Sequence, residues 1–383
     1  MHIGIFSETF LPQINGAVVS ICNINKELIK RGHKVTVFSV GKGHEKIDGY
    51  EVYRFRGWEV KGYPEYKYMA PDHYAWKLMK SKDVDIIHSR TAFPMGVVAK
   101  RLAQRTRKPI IGTFDTPITD YVHYVRPFGS VQPTKYILEG IARKWMKKYY
   151  GWCDVVTVPS ETTKKKLLSW GFKDNIEVVS NGIDTKKFNS ENYDKKLKEK
   201  LCPKGEKLIL HVGRITKEKR VTELLKIAKI LDNKKLKFKL LVVGGGPELD
   251  NVKLQTKSLG LQKKIIYPGY ISQKDLPKYY ASADLFLTAS TVETQGLVLL
   301  ESLASGLPVI GADAEAIPEL IKNGKNGFLF KPGKPKQAAD QVEQVLKDEN
   351  LRKSLSKNTV KYVKPHSIES VCTEWERIYK GLV

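Results

Sequence analysis

The sequence predicts an α/β chain made of two Rossmann-like, doubly wound parallel-sheet domains that face each other across a cleft. Three observations predict it. Short β-branched apolar runs alternate with helical stretches from end to end, the pattern of βαβ units. That alternation pauses once, over residues 185–206, and then resumes. The chain, at 383 residues, is also too long for one ordinary core and suits two.

In chain order, HIGIF is the first strand, and residues 17–31 follow as a helix that Gly32 stops. HKVTVFSV, DVDIIHS, KPIIGTF, CDVVTVPS and NIEVVSNG are the next strands, which closes a first domain over residues 1–184. Residues 185–206 are polar, charged and strandless, and read as a linker. A second domain over 207–364 runs KLILHVGR, a helix over 221–233, FKLLVVGGG and a helix near 247–259. It continues with KIIYPGY, DLFLTAS, a helix after Gly296, and LPVIGA. Residues 365–383 form one amphipathic helix with Val371, Trp375 and Ile378 on a face; it caps the second domain or crosses back to the first.

The composition excludes several classes. No apolar run approaches the roughly 18 residues of a membrane span, and the N-terminus carries Glu8 where a secretory signal would be apolar. Four scattered cysteines show neither C-x-x-C nor metal-finger spacing, which suits free thiols in a reducing cytosol. The net charge of +25 is spread over both halves, +11 on residues 1–184 and +14 on the rest. Such a field draws polyanions: phosphorylated ligands, nucleic acid or anionic lipid. Helix-turn-helix and aromatic RNA-binding patterns are absent, so no nucleic-acid partner is expected.

The chemistry is concentrated in the second half. The turn VVGGGPE at 242–248 lacks the third glycine of a dinucleotide fingerprint and reads as a tight turn, with Gly245 lining a cleft. Asp83 and Asp85 open a strand and read as turn and cap residues rather than as metal ligands. In HVGRITKEKR, Arg214 and Lys219 sit in a strand-to-helix loop, where they clamp a diphosphate or are simply solvated. In ETQGLVLLE, Glu293 precedes a helix that starts at Gly296, and Glu301 lies inside it. Amides near Gly296 and Leu297 make a phosphate seat, and each carboxylate suits a pair of sugar hydroxyls. The alternative makes Glu293 a neighbour of the helix cap and Glu301 a paired, half-buried acid.

Together these segments resemble a family. GRITKEK followed by ETQGLVLLESLASGLPVI resembles the R-x4-K and E-x7-E signatures of the retaining family-4 glycosyltransferases of GT-B fold. SETFLPQINGAVVSICNINKELIKRGHKVTVFS, VVSNGIDTKKF, VVGGGPE and YPGYISQKDLPKYYASADLFLTAS carry the likeness along nearly the whole chain. The resemblance implies a nucleotide-sugar donor and no metal or other cofactor. Gly16 would approach the donor diphosphate, and Arg214 and Lys219 would neutralise it. Glu293, with the amides of Gly296 and Leu297, would hold the transferred sugar; Glu301 would hold the ribose; the base would lie near Tyr270 and Ile271. The family transfers with retention, through a front-face displacement in which the leaving phosphate helps to deprotonate the acceptor.

One position departs from the pattern. Lipid-modifying members read threonine-aromatic-histidine-threonine where this chain has TFDT, so Asp115 replaces a histidine beside the sugar. An ionised Asp115 would repel phosphates and donate no hydrogen bond. DYVHY (Asp120, Tyr121, His123 and Tyr124) with ETFLPQINGAV resembles the bacterial diacylglycerol glucosyltransferases. Residues 101–148 carry a local charge of +7, and IARKWMKKYYGW sets Trp145, Met146, Tyr149, Tyr150 and Trp152 among Lys144, Lys147 and Lys148. Cations and aromatics together suit an anionic headgroup layer. The expected activity is hexose transfer, from UDP-glucose, to a membrane lipid such as 1,2-diacylglycerol. The enzyme would sit peripherally on the inner face of the plasma membrane. The alternatives are a non-lipid acceptor (glycan, polyol phosphate or protein) or a weakly active sugar-nucleotide binder.

Overall fold

The computed structural model describes residues 1–60, 63–68, 73–115 and 132–383, with backbone only for 58–60, 63–68, 73–75 and 132–135. The chain forms two compact units, residues 1–182 with 368–383, and residues 183–367.

In the first unit the strands are β1 (His2–Ser7), β2 (Lys34–Val40), β3 (Gly43–Ile47), β4 (Tyr50–Phe55), β5 (Trp58–Val60) and β6 (Tyr63–Tyr68), then β7 (Ile86–Ser89), β8 (Ile110–Thr113), β9 (Val155–Val158) and β10 (Ile176–Val178). Its helices are α1 (Gly16–Lys30), α2 (His73–Ser81), α3 (Pro94–Thr106), α4 (Gln132–Tyr150) and α5 (Glu161–Ser169). Eight strands share one sheet in the order β10-β9-β8-β7-β1-β2-β4-β3, parallel except for β3, and β5 pairs with β6 alone. Every residue of β1 is buried, as expected for a central strand with helices over both faces. Ile3 and Ile5 pack with Val18, Ile21, Ile24 and Trp375, while Phe6 points the other way toward Val98 and Leu102. The first helix begins at Gly16 rather than 17, because Asn15 caps it by accepting from the Val18 amide at 3.0 Å.

In the second unit, α6 (Lys195–Leu201) comes first. The strands β11 (Lys207–Val212), β12 (Phe238–Val243), β13 (Ile265–Gly269), β14 (Leu285–Thr288), β15 (Val309–Ala312) and β16 (Gly327–Phe330) follow. The order β13-β12-β11-β14-β15-β16 is parallel throughout. Between them run α7 (Val221–Asn233), α8 (Leu249–Ser258), α9 (Leu276–Ser282), α10 (Leu297–Ala304) and α11 (Ile317–Leu320), then α12 (Pro335–Lys347) and α13 (Glu349–Val363). Ile209 packs with Leu224 and Ala228 on one face of the sheet; Leu208 and Leu210 pack with Leu299 and Leu303 on the other.

Residues 185–206, read above as a linker, contain α6 and a short 3-10 turn at Ser190–Asn192, and they lie within the second unit. The last helix, α14 (Ile368–Lys380), belongs to the first unit. It buries Trp375, Ile378 and Tyr379 beside α1, with Arg31 bridging to Glu376 at 3.2 Å. The four cysteines are free. Among the described residues no helix is long and apolar enough to cross a membrane.

Candidate active site

The second sheet starts in its middle, at β11, winds outward through β12 and β13, then crosses to β14 on the other side. Loops leaving β11 and β14 therefore diverge, and ligands of such sheets bind beyond the strand ends at that switch point. Lys219 comes from the loop after β11 and Glu293 from the loop after β14. The Thr291 amide donates to Glu218 O at 3.1 Å, which ties the two loops together. Lys219 Nζ then lies 2.5 Å from Glu293 Oε1, with both side chains largely buried. One cation and one carboxylate read from sequence, Lys219 and Glu293, thus meet at one point.

The glycine turn explains how the neighbouring loops fit. A Cβ at Gly244 (φ +126°) would lie 2.0 Å from the Gly213 carbonyl oxygen, so only glycine allows this approach. Gly245 is exposed, and its carbonyl accepts from the Ile215 amide at 2.8 Å. Arg214 is exposed and, among the described residues, forms no ion pair; the structure does not join it to Glu293. Tyr270 is exposed immediately after β13, whereas the Ile271 side chain is buried in the core, so only backbone at Ile271 can serve a ligand.

Gly296, at φ +89°, turns the chain into α10, and a Cβ there would sit 3.0 Å from Leu299 Cδ1 and 3.7 Å from Glu293 Cδ. The Leu299 and Leu300 amides turn back to Gly296 O, at 2.9 and 3.3 Å, while the Leu297 amide, first in the helix, has no helical carbonyl behind it and marks the positive end. One turn further on, Glu301 is buried and accepts from Tyr280 Oη at 2.7 Å. Burial pushes its carboxyl up to about 7, against the Tyr280 hydrogen bond and the Lys187 charge. Its Oε1 takes no hydrogen bond among the described residues, which leaves an acceptor for a hydroxyl. Tyr280 was invisible to sequence reading, since it lies on α9 in no spacing shared with Glu301.

The first sheet has its own switch point, between β1 and β7. Gly16 stands exposed at the start of α1. Glu8, just after β1, accepts from the Met95 amide at 3.1 Å, and burial raises its carboxyl to about 7. Asp115, just after β8, is not an isolated anion. Arg90, just after β7, donates to Asp115 Oδ2 from Nε at 2.9 Å, with Nη2 at 2.7 Å, and both side chains are buried. Burial raises the Asp115 carboxyl while Arg90 opposes the shift. The expected repulsion of phosphates is therefore corrected: a guanidinium balances the charge. Beneath the pair, His88 is held by Tyr379 Oη at Nδ1 (2.8 Å) and by Thr113 Oγ1 at Nε2 (2.6 Å), and burial keeps it neutral. Asp83, exposed at φ +44°, and Asp85, which accepts from the His2 amide at 2.6 Å, are turn and cap.

Asp120, Tyr121, His123 and Tyr124 lie outside the described residues. On α4, Lys144, Trp145, Lys147 and Lys148 are exposed, and Trp145 Nε1 donates to Ala92 O at 2.9 Å, anchoring the helix to the loop after β7. The aromatic set expected there needs correction, because Met146, Tyr149 and Tyr150 are the helix's core face. Its exposed apolar residues are Tyr136 (67%), Ile137 (61%) and Ile141 (58%), with Trp145 (37%) the one aromatic of the expected set that joins them. Apart from the terminal Val383, every large exposed apolar side chain among the first unit's described residues lies on α4 or in the loops after β1 (Ile14) and β7 (Phe93).

Comparisons with known proteins agree on the family. Residues 14–187 match the family model described as Glycosyltransferase Family 4, and residues 192–362 the one described as Glycosyl transferases group 1. The alpha-monoglucosyldiacylglycerol synthase of Streptococcus pneumoniae is 33% identical over 347 residues, 86% of this chain and 75% of that protein. The protein of the same description from Acholeplasma laidlawii is 29% identical over 397 residues, covering 100% of this chain and 98% of that one. Among solved structures, sucrose-phosphate synthase from Thermosynechococcus elongatus superposes with a TM-score of 0.82 at 19% identity, covering 100% of this chain and 98% of that one.

Proposed function

From the premise that this chain belongs to glycosyltransferase family 4 and has its two-domain α/β fold, we propose that it transfers glucose from UDP-glucose to the free hydroxyl of 1,2-diacylglycerol. Transfer proceeds with retention and without a metal, on an anionic membrane surface at which the protein is peripheral. The second unit holds the donor. Lys219 and Arg214 neutralise the diphosphate, which stabilises the charge that develops as the sugar–phosphate bond breaks. Gly16 gives its backbone to the same diphosphate, and the exposed Gly245 turn lines the site. The amides of Gly296 and Leu297, at the positive end of α10, seat the phosphate and sugar. Glu293 accepts from hydroxyls of the hexose. Glu301 accepts from the ribose, with Tyr280 fixing its carboxylate, and the base lies against backbone at Tyr270 and Ile271. Asp120, Tyr121, His123 and Tyr124 serve the acceptor.

The observation that carries the lipid reading is the apolar surface of the first unit. Ile137 and Ile141 are successive turns of one stripe on α4, and Lys144 and Lys148 continue it. An apolar stripe passing into cations is the pattern of a helix lying in the headgroup layer of an anionic bilayer. The double variant Ile137→Ser/Ile141→Ser should weaken binding to vesicles of diacylglycerol and anionic phospholipid by at least ~30-fold in a flotation assay, since each buried isoleucine contributes about 1.5–3 kcal/mol. Donor affinity should not change. Undiminished vesicle binding by that variant contradicts the membrane role of α4.

A further inference from the structure

We propose that Arg90 is a specificity-determining residue of this enzyme, one that donates hydrogen bonds to a neutral oxygen of the substrate, and that Asp115 is its positioning residue. The inference rests on the transfer reaction proposed above. A guanidinium has five N–H donors. Nε and Nη2 both turn to Asp115 Oδ2, at 2.9 and 2.7 Å, and Nη2 also reaches Ser20 Oγ at 3.5 Å. Ser20 Oγ itself donates to Asn181 O at 2.8 Å, which leaves its lone pairs for Arg90. The side chain is thus clamped between α1, β7 and the end of β8, and is 2% exposed.

Nη1 differs from the other two nitrogens. It takes no hydrogen-bond partner among the described residues, so its two donors are left for a ligand oxygen. They lie at the carboxyl edge of the sheet, beside the switch point between β1 and β7. A buried ion pair is an inefficient way to gain stability, because desolvation offsets most of the attraction. A fixed two-donor fork whose charge is already balanced has a clearer use. Asp115 lies against the guanidinium and disfavours a phosphate there, while a hydroxyl or ester carbonyl oxygen is accepted. The pair restores the hydrogen-bond donor that the sequence lacks at position 115.

The test compares the wild type with Arg90→Gln/Asp115→Asn, a double variant that leaves no buried charge unpaired. Arg90→Gln and Asp115→Asn are measured beside it. The readout is kcat/KM on UDP-glucose, on its deoxy-glucose analogues, and on diacylglycerol against dialkylglycerol. The wild type should lose ~10- to 100-fold against one analogue. The double variant should show that loss already on the full substrates and no further loss on that analogue. Sensitivity to a deoxy sugar places the oxygen on the hexose; sensitivity to the ether lipid places it on the acceptor ester. A double variant that keeps the wild-type discrimination overturns the assignment, as does one that only weakens UDP binding, since the ligand would then be an anion. If the wild type transfers no glucose to lipid, the proposed function falls and this assignment with it; if it transfers and the double variant is unimpaired, only the assignment falls.

Discussion

Lys219→Ala should lower kcat/KM for the nucleotide sugar by roughly 30- to 5,000-fold, equivalent to about 2–5 kcal/mol of lost transition-state stabilisation. The ammonium is largely buried and already in ionic contact with Glu293 at 2.5 Å. On the proposed reading its removal takes away the charge meant for the leaving diphosphate, and it leaves the Glu293 carboxylate uncompensated. The second part makes the effect non-additive. Lys219→Ala/Glu293→Gln should be less impaired than the product of the two single losses, because no isolated carboxylate then repels the phosphates. Steady-state kinetics on the four proteins of this cycle measures both quantities. A Lys219→Ala enzyme within about threefold of wild type would remove Lys219 from the site, since a direct charge–phosphate contact is worth more than that.

Glu301→Ala should raise the donor KM and lower kcat, for a combined loss of roughly 10- to 100-fold, the range for hydrogen bonds to a charged acceptor. It also carries a pH signature. Burial pushes the carboxyl up to about 7, so the ionised form proposed to accept two ribose hydroxyls becomes dominant only above that value. Donor affinity should improve as pH rises through 7, and Glu301→Gln should flatten this limb. Stability runs the opposite way. The folded protein holds this proton more tightly than the unfolded chain, whose carboxyl has the ordinary value of 4.5, so the contribution is complete below 4.5 and is lost as pH climbs to 7. Urea midpoints of wild type and Glu301→Gln at pH 5 and pH 8 separate the two effects. A donor KM that does not change with pH between 6 and 8 in the wild type would count against an ionised Glu301 on the ribose.

The fold was readable because its strands are buried on both faces and therefore appear as continuous apolar runs, with glycine or asparagine at the helix ends. Val221–Asn233 matches the helix read at 221–233, since its caps fall at those places. Strands β3, β4, β5, β6 and β16 were not read; β3, with its run of exposed polar residues, has no apolar run to mark it, and β4 and β16 are only partly buried. Within the site, Lys219 and Glu293 could be found because local spacing announces both. Arg90 and Tyr280 could not, because each meets its partner through strand or helix order: Arg90 reaches Asp115 across 25 positions, and Tyr280 reaches Glu301 across 21. On α4 the periodicity held the answer. Met146, Tyr149 and Tyr150 recur at core spacing and face inward, while Ile137, Ile141, Lys144 and Lys148 share the outward stripe. Of the aromatics set among the lysines of this helix, Tyr149 and Tyr150 lie on the inward face and Trp145 on the exposed one.

Hexose transfer from a nucleotide to a lipid hydroxyl underlies every role proposed for these residues. Its most direct test incubates the purified protein with UDP- and GDP-hexoses, singly, and vesicles of diacylglycerol with anionic phospholipid, with excess EDTA present, and reads the lipids by mass spectrometry. A monohexosyl-diacylglycerol formed from UDP-glucose, undiminished by EDTA, is the result predicted. No hexosyl-lipid from any donor, or one formed only after a divalent ion is restored, would contradict the account.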